Sequence, residues 1–126
     1  MANSIGYHED ETKLRQETKD NHRALTSMME ELEAVGWYDQ RVDVATDPEL
    51  KAILAHNRDE EKEHFVMVLE WLRRRDPKLA AELHNRLETT GSIVLQEAAD
   101  KNDGGPAARA GDGSLGIGNL KGGNSL

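Results

Sequence analysis

The stretch NRDEEKEHFVMVLEWL, residues 57–72, decides the fold. Its apolar residues extend a stripe that runs Leu50, Leu54, Asn57, Glu61, His64, Val68 and Leu72. Steps of three and four residues place that stripe on one face of a helix. Glu61 and His64 therefore share a face with leucines, while Glu60 and Glu63 beside them fall on the wet face. A carboxylate and an imidazole three residues apart on a helix can reach one ion. Charged groups turned inward need a neutralising partner, and a metal ion is the partner that this pair suits.

The rest of the chain reads as helices around this one. A pattern from about Glu9 to Val35 carries Leu14, Leu25, Met28, Leu32 and Val35 at helical steps, with Gly36 as the expected stop. Ala24, Met28, Glu31 and Val35 lie on one face of it, so Glu31 also sits among apolar residues. The second helix starts at TDPEL, where Thr46 or Asp47 can cap and Pro48 suits the first turn. Nothing from Asp39 to Ala45 breaks a helix. Three arginines before Asp76 and Pro77 mark its end. A shorter helix is expected from Pro77 to about Glu88, broken by Gly91, and SIVLQEAAD reads as a last short helical piece. No alternating strand pattern persists. The expected class is all-α: two long antiparallel helices plus a short C-terminal helix. Residues 1–8 read as disordered, 9–100 as the helical half-bundle, and 101–126 as a flexible glycine-rich tail.

Composition narrows the chemistry. The chain has 126 residues and a formal net charge of −8, with 16 Lys+Arg against 24 Asp+Glu. Such a chain is poorly suited to phosphate backbones and well suited to cations. It has no cysteine, which excludes thiolate sites and leaves oxygen and imidazole as metal ligands. Its polar, acidic start, MANSIGYHEDETK, resembles no secretory signal, and no apolar run is long enough to span a membrane, so an intracellular protein is expected. Hydrophobic residues make up only 37%, which suggests a thin bundle that completes its core by association.

Antiparallel packing about a turn near residues 43–47 brings Glu31 and Glu61 to similar heights. Ferritin-like di-iron sites take a Glu from each of two helices and a Glu-x-x-His from each of two others. This chain offers one suitable Glu and one Glu-x-x-His, half of that set. Two chains about a two-fold axis would complete it. Alone, Glu-x-x-His is a common pair in a Glu-rich chain, and the motif does not choose iron over manganese or zinc. Glu30 and Glu33 read first as a solvated acidic face and second as an antechamber that attracts ferrous ions. Trp37 reads as packing at a helix end. Tyr38 reads as packing, or as a group hydrogen-bonded to a metal ligand or a bound oxygen species. His56 reads as a surface histidine with an accessory metal role as the rarer reading. His8, His22 and His84 lack ligand spacing. Nucleotide, hydrolase and nucleic-acid motifs are absent from the sequence.

Two stretches carry a family resemblance. The core MEELEAVGWYDQRVD…TDPEL…ILAHNRDEEKEH…LEWLRR, within residues 29–74, and the tail DGSLGIGNLK, residues 112–121, resemble the encapsulated ferritins, the cargo of bacterial encapsulin shells. The tail is similar to an encapsulin-loading peptide. Its glycines permit an extended backbone, and Leu115, Ile117 and Leu120 can fill small apolar pockets. Five further residues, GGNSL, follow it, whereas such a peptide often ends the chain.

The resemblance implies two-helix subunits that complete a ferritin-like four-helix bundle by dimerisation and form a ring-shaped decamer in the bacterial cytoplasm, inside an encapsulin nanocompartment. It implies a di-iron centre between subunits, with Glu31, Glu61 and His64 as ligands and Glu61 bridging. It places Tyr38 beside the ligands, Glu30 and Glu33 where iron first enters, and Trp37 and His56 near that route. The expected ions are Fe(II) and Fe(III), two per dimer, with Ca, Mn or Zn able to substitute. The expected activity is a ferroxidase using O2. The alternative is a non-catalytic divalent-metal-binding or assembly cargo protein.

Overall fold

The computed structural model describes residues 6–103. The expectations for residues 1–5 and for the tail from 104 onward, the segment 112–121 included, lie outside the described residues. The described elements are helices, as the sequence requires: α1 (Gln16–Val44), α2 (Pro48–Arg75), α3 (Pro77–Arg86) and α4 (Ile93–Asp103), preceded by a 3-10 turn over Glu11–Lys13. They fall into two compact units that divide between Arg75 and Asp76. Two short helices, rather than one, follow the long pair.

The first unit is a hairpin of α1 and α2. Its cross-helix contacts run antiparallel: as the α1 partner moves forward from Glu31 to Asp39, the α2 partner moves back from His64 to Arg58. Both bounds of α1 differ from expectation. It begins at Gln16 because Asp10 caps the preceding 3-10 turn through Thr12 N–H, at 2.9 Å, and Arg15 is extended. It continues through Gly36 to Val44. Gly36 has ordinary helical backbone, and a side-chain carbon placed there would meet nothing within 4 Å. One exposed glycine costs a helix only about 1 kcal/mol, and Tyr38 and Val42, both half-buried beyond it, lie on the face that packs.

Of the two candidate caps for α2, Asp47 serves: its carboxylate accepts from Leu50 N–H at 2.8 Å, with Pro48 in the first turn. At the other end Glu70 accepts from Arg73 Nε at 2.6 Å and Arg74 Nε at 2.8 Å. Those guanidiniums, Arg73 foremost, hold its carboxyl down at about 2. Positive charge in the last turn suits the carbonyl end of the helix. In the second unit Asp76 caps α3 through Leu79 N–H. That helix ends at Arg86, two residues early, because Leu87 is extended and Glu88 and Gly91 take φ values of 57° and 84°. A half-buried Arg86–Asp100 ion pair of 2.7 Å ties α3 to α4.

The core is thin. Among the described residues only Leu72 is buried. Leu25, Met29, Leu32, Trp37, Ile53 and Met67 are each more than 40% exposed. A hairpin that leaves so much apolar surface in water has not finished burying its core.

Candidate metal centre

The seam between α1 and α2 carries Ala24, Met28, Glu31 and Val35 on one side, as the stripe predicted, continued by Tyr38. On the α2 side one line of half-buried positions runs Leu54, Arg58, Glu61, Phe65 and Val68 to the fully buried Leu72, and Ala55, Asn57, Leu69, Glu70 and Trp71 are half-buried beside it. Glu61 lies on that line. His64 is turned further out than expected: it sits one position to the side, because Phe65 occupies the seam. Its side chain is 46% exposed, against 27% for Glu31 and 22% for Glu61.

These three side chains nonetheless meet. One ligand atom from each lies within 4.8 Å of the other two. His64 Nδ1 is 3.2 Å from Glu61 Oε1 and 3.7 Å from Glu31 Oε1. The residues come from two helices, and no short sequence segment contains all three. Among the described residues this is the one group of three or more His, Asp or Glu side chains with ligand atoms so arranged.

The electrostatics follow from the crowding. Glu31 is raised above the ordinary carboxylate range, first because it donates a hydrogen bond to Glu61 and then because of desolvation. Glu61 is lowered, chiefly because it accepts that bond. Like charges at this range disfavour double ionisation, so the pair takes up its first proton above the ordinary carboxylate range. His64 is raised, first by its hydrogen bond to Glu61. The triad thus gathers protons that a cation would replace. Two oxygen donors and one imidazole fit a hard or borderline divalent ion.

The other candidates lie outside this group. Tyr38 is half-buried on the same face of α1, two turns beyond Glu31, with the Arg41 guanidinium 5.2 Å from its ring centroid. Glu30 and Glu33 are exposed on α1. Trp37 is 53% exposed and lines a surface hollow with Gln40, Arg41 and Val44. His56 points its Nε2 at Glu60, 3.9 Å away, rather than at the triad. Two residues near the site were not singled out from the sequence: Arg58 and Asp39, joined across the helices at 3.2 Å. The signal was spacing: Arg58 lies four residues after Leu54 and three before Glu61, beside the Asn57 through which the stripe was drawn.

Comparisons with known proteins agree with the fold. The chain is 62% identical over 122 residues to an encapsulated ferritin-like protein of Rhodospirillum rubrum, covering 91% of this chain and 87% of that one. It is 45% identical over 111 residues to a ferritin-like protein of Thermotoga maritima, covering 88% and 94%. An encapsulin nanocompartment cargo protein of Myxococcus xanthus is 36% identical over 83 residues, covering 61% and 64%. A crystal structure of a Nitrosomonas europaea protein superposes with a TM-score of 0.67 at 58% identity, covering 70% of this chain and 97% of that one. The family model described as EncFtn-like matches residues 6–90. The all-α, ferritin-like reading stands, and the chain belongs to the EncFtn-like family, the encapsulated ferritins.

Proposed function

We propose that this protein is a ferroxidase that oxidises Fe(II) to Fe(III) with O2 at a di-iron centre shared by two copies of the chain. The observation that carries this reading is the cross-helix triad of Glu31, Glu61 and His64, with ligand atoms within 4.8 Å of one another. Three ligands are half of a ferritin-like set. A second copy supplies the other half, and the thin core with its exposed apolar residues gives that copy a surface to cover.

In this mechanism ferrous ions are the substrate. As they bind, His64 gives up the proton that its raised pKa retains and, in more acid solution, Glu31 gives up a second. The freed carboxylates and the imidazole then face the ions. Glu61 lies between Glu31 and His64 in the hydrogen-bond chain, the place of a bridging carboxylate. Two Fe(II) together give O2 two electrons, which takes it to the peroxide level with protons from solvent and leaves two Fe(III). The four carboxylates of two chains balance two divalent charges, and their hard oxygens favour the ferric product. Glu30 and Glu33, exposed on α1, draw cations toward the site, with Trp37 and His56 near the route. Tyr38 lines the seam on the Glu31 face of α1, the residue this reading sets beyond the ligands. Ca, Mn or Zn can substitute at the same donors, and Ca and Zn do so without a redox step.

Oxidised iron then passes to a surrounding encapsulin shell in the bacterial cytoplasm. Relatives named for encapsulation and for encapsulin cargo support this, as does the apolar island in the segment 112–121. Dimers assembled into a ring-shaped decamer are the quaternary form this family membership favours.

Fe(II) oxidation under air tests the activity. Wild type should oxidise well above the uncatalysed rate, and Glu61→Ala should fall to it. Equal background rates for both would overturn the ferroxidase reading and leave a non-catalytic metal-binding cargo protein. Co-expression with a shell protein, with and without residues 112–121, tests loading.

A further inference from the structure

We propose that Asp39 and Arg58 form a positioning pair that fixes the register of α1 against α2 and so holds Glu61 level with Glu31. The proposal rests on the metal reading of the triad and adds residues that touch no ion.

The geometry is specific. Arg58 Nη1 donates to Asp39 Oδ1 across the seam at 3.2 Å, and Arg58 Nε donates to Asp59 Oδ1 on its own helix at 3.1 Å. Asp59 is held in turn by Lys62 Nζ at 3.3 Å. The Arg58 side chain is only 24% exposed, so the guanidinium is seated in the seam. A rigid fork that engages a carboxylate on each helix fixes both distance and angle, as a lysine would not. Arg58 lies one turn before Glu61 on the same face.

The other ties are less directional. The connection Ala45–Asp47 joins the helices at one end, and the buried Leu72 packs toward the other. Between these the half-buried Met28, Val35, Leu54, Phe65 and Val68 supply apolar contact, which holds the helices together without prescribing one register. A slip of one helical turn, about 5.4 Å, exceeds the span of the whole ligand group. A tie between the connection and the triad resists such a slip.

The test is a Zn(II) titration by calorimetry on the full chain, with circular dichroism as a check on helix content. Asp39→Asn is a clean perturbation: Asp39 is 57% exposed, and Arg58 keeps Asp59, so no charge is stranded. We expect Asp39→Asn to weaken Zn(II) binding about threefold, the scale of one partly exposed ion pair, with helix content unchanged. Asp39→Glu, which restores a carboxylate, should recover most of it. In a Glu61→Gln background Asp39→Asn should cause no further loss, because it acts through Glu61. Unchanged affinity in Asp39→Asn, even with a lowered melting temperature, overturns the proposal, as does a loss that Asp39→Glu leaves unrescued. If Glu61→Gln binds Zn(II) as wild type does, the triad is not the metal site, and the functional reading falls together with this one.

Discussion

Acid should expel metal from the triad in two countable steps. Glu31 and His64 both have raised pKa values, the first through its hydrogen bond to Glu61, the second through its own hydrogen bond to the same carboxylate. Glu61 is lowered and starts ionised. A binding cation must therefore displace one proton from His64 and, in more acid solution, a second from Glu31. Each displaced proton costs about tenfold in affinity per pH unit below the pKa of its group. The affinity per chain should then be flat above the His64 titration, fall about tenfold per unit below it, and steepen to about a hundredfold per unit below that of Glu31.

The sign is opposite for the metal-free fold. The contacts that raise His64 stabilise that fold below the ordinary imidazole value of about 6.5, and this contribution is lost as pH rises through the raised value. Zn(II) calorimetry in buffers of different ionisation enthalpy counts the protons. We expect about one per chain near pH 6, rising toward two as pH falls, and one fewer in His64→Ala. No release near pH 6, or the same release in His64→Ala, would refute the reasoning.

Three further outcomes follow from the packing. Leu72→Ala should destabilise the protein by about 2–3 kcal/mol, the low end for a buried leucine because its surroundings are thin, read as a lower denaturant midpoint. Gly36→Ala should stabilise it by about 0.5–1 kcal/mol, since Gly36 is helical and the added carbon meets nothing; a loss in the same assay would mean that something covers that face. Metal should promote dimers or larger assemblies, by linkage, and sedimentation velocity with and without Fe(II) under anaerobic conditions should show it for wild type and not for Glu61→Ala.

Much of the fold could be read from the chain because its helices carry local punctuation. Asp47-Pro48 opens α2, and Asp76-Pro77 closes it and caps the next helix. Gly91 breaks the chain where it takes positive φ. Gly36 misled because glycine ends a helix only where the backbone turns left-handed, and the packing of Tyr38 and Val42 keeps it right-handed. The triad was legible because Glu31, Glu61 and His64 fit apolar stripes. The outward turn of His64 was not. A stripe stepping four and three drifts by a fraction of a turn, so His64 and Phe65 compete for one seam, and side-chain volume settles it. Arg58 was missed for a related reason: the stripe was drawn through Asn57, and the arginine beside it looks like a wet-face residue until its carboxylate on the other helix is known.

The central claim is that each chain holds half of a dinuclear site. Crystals soaked in Fe(II), measured with anomalous scattering at the iron edge, test it most directly. The account predicts two peaks beside a two-fold axis, each within ligand distance of Glu61, with Glu31 and His64 of both chains around them. A single ion held by one chain alone, or no peak at the triad, would contradict it.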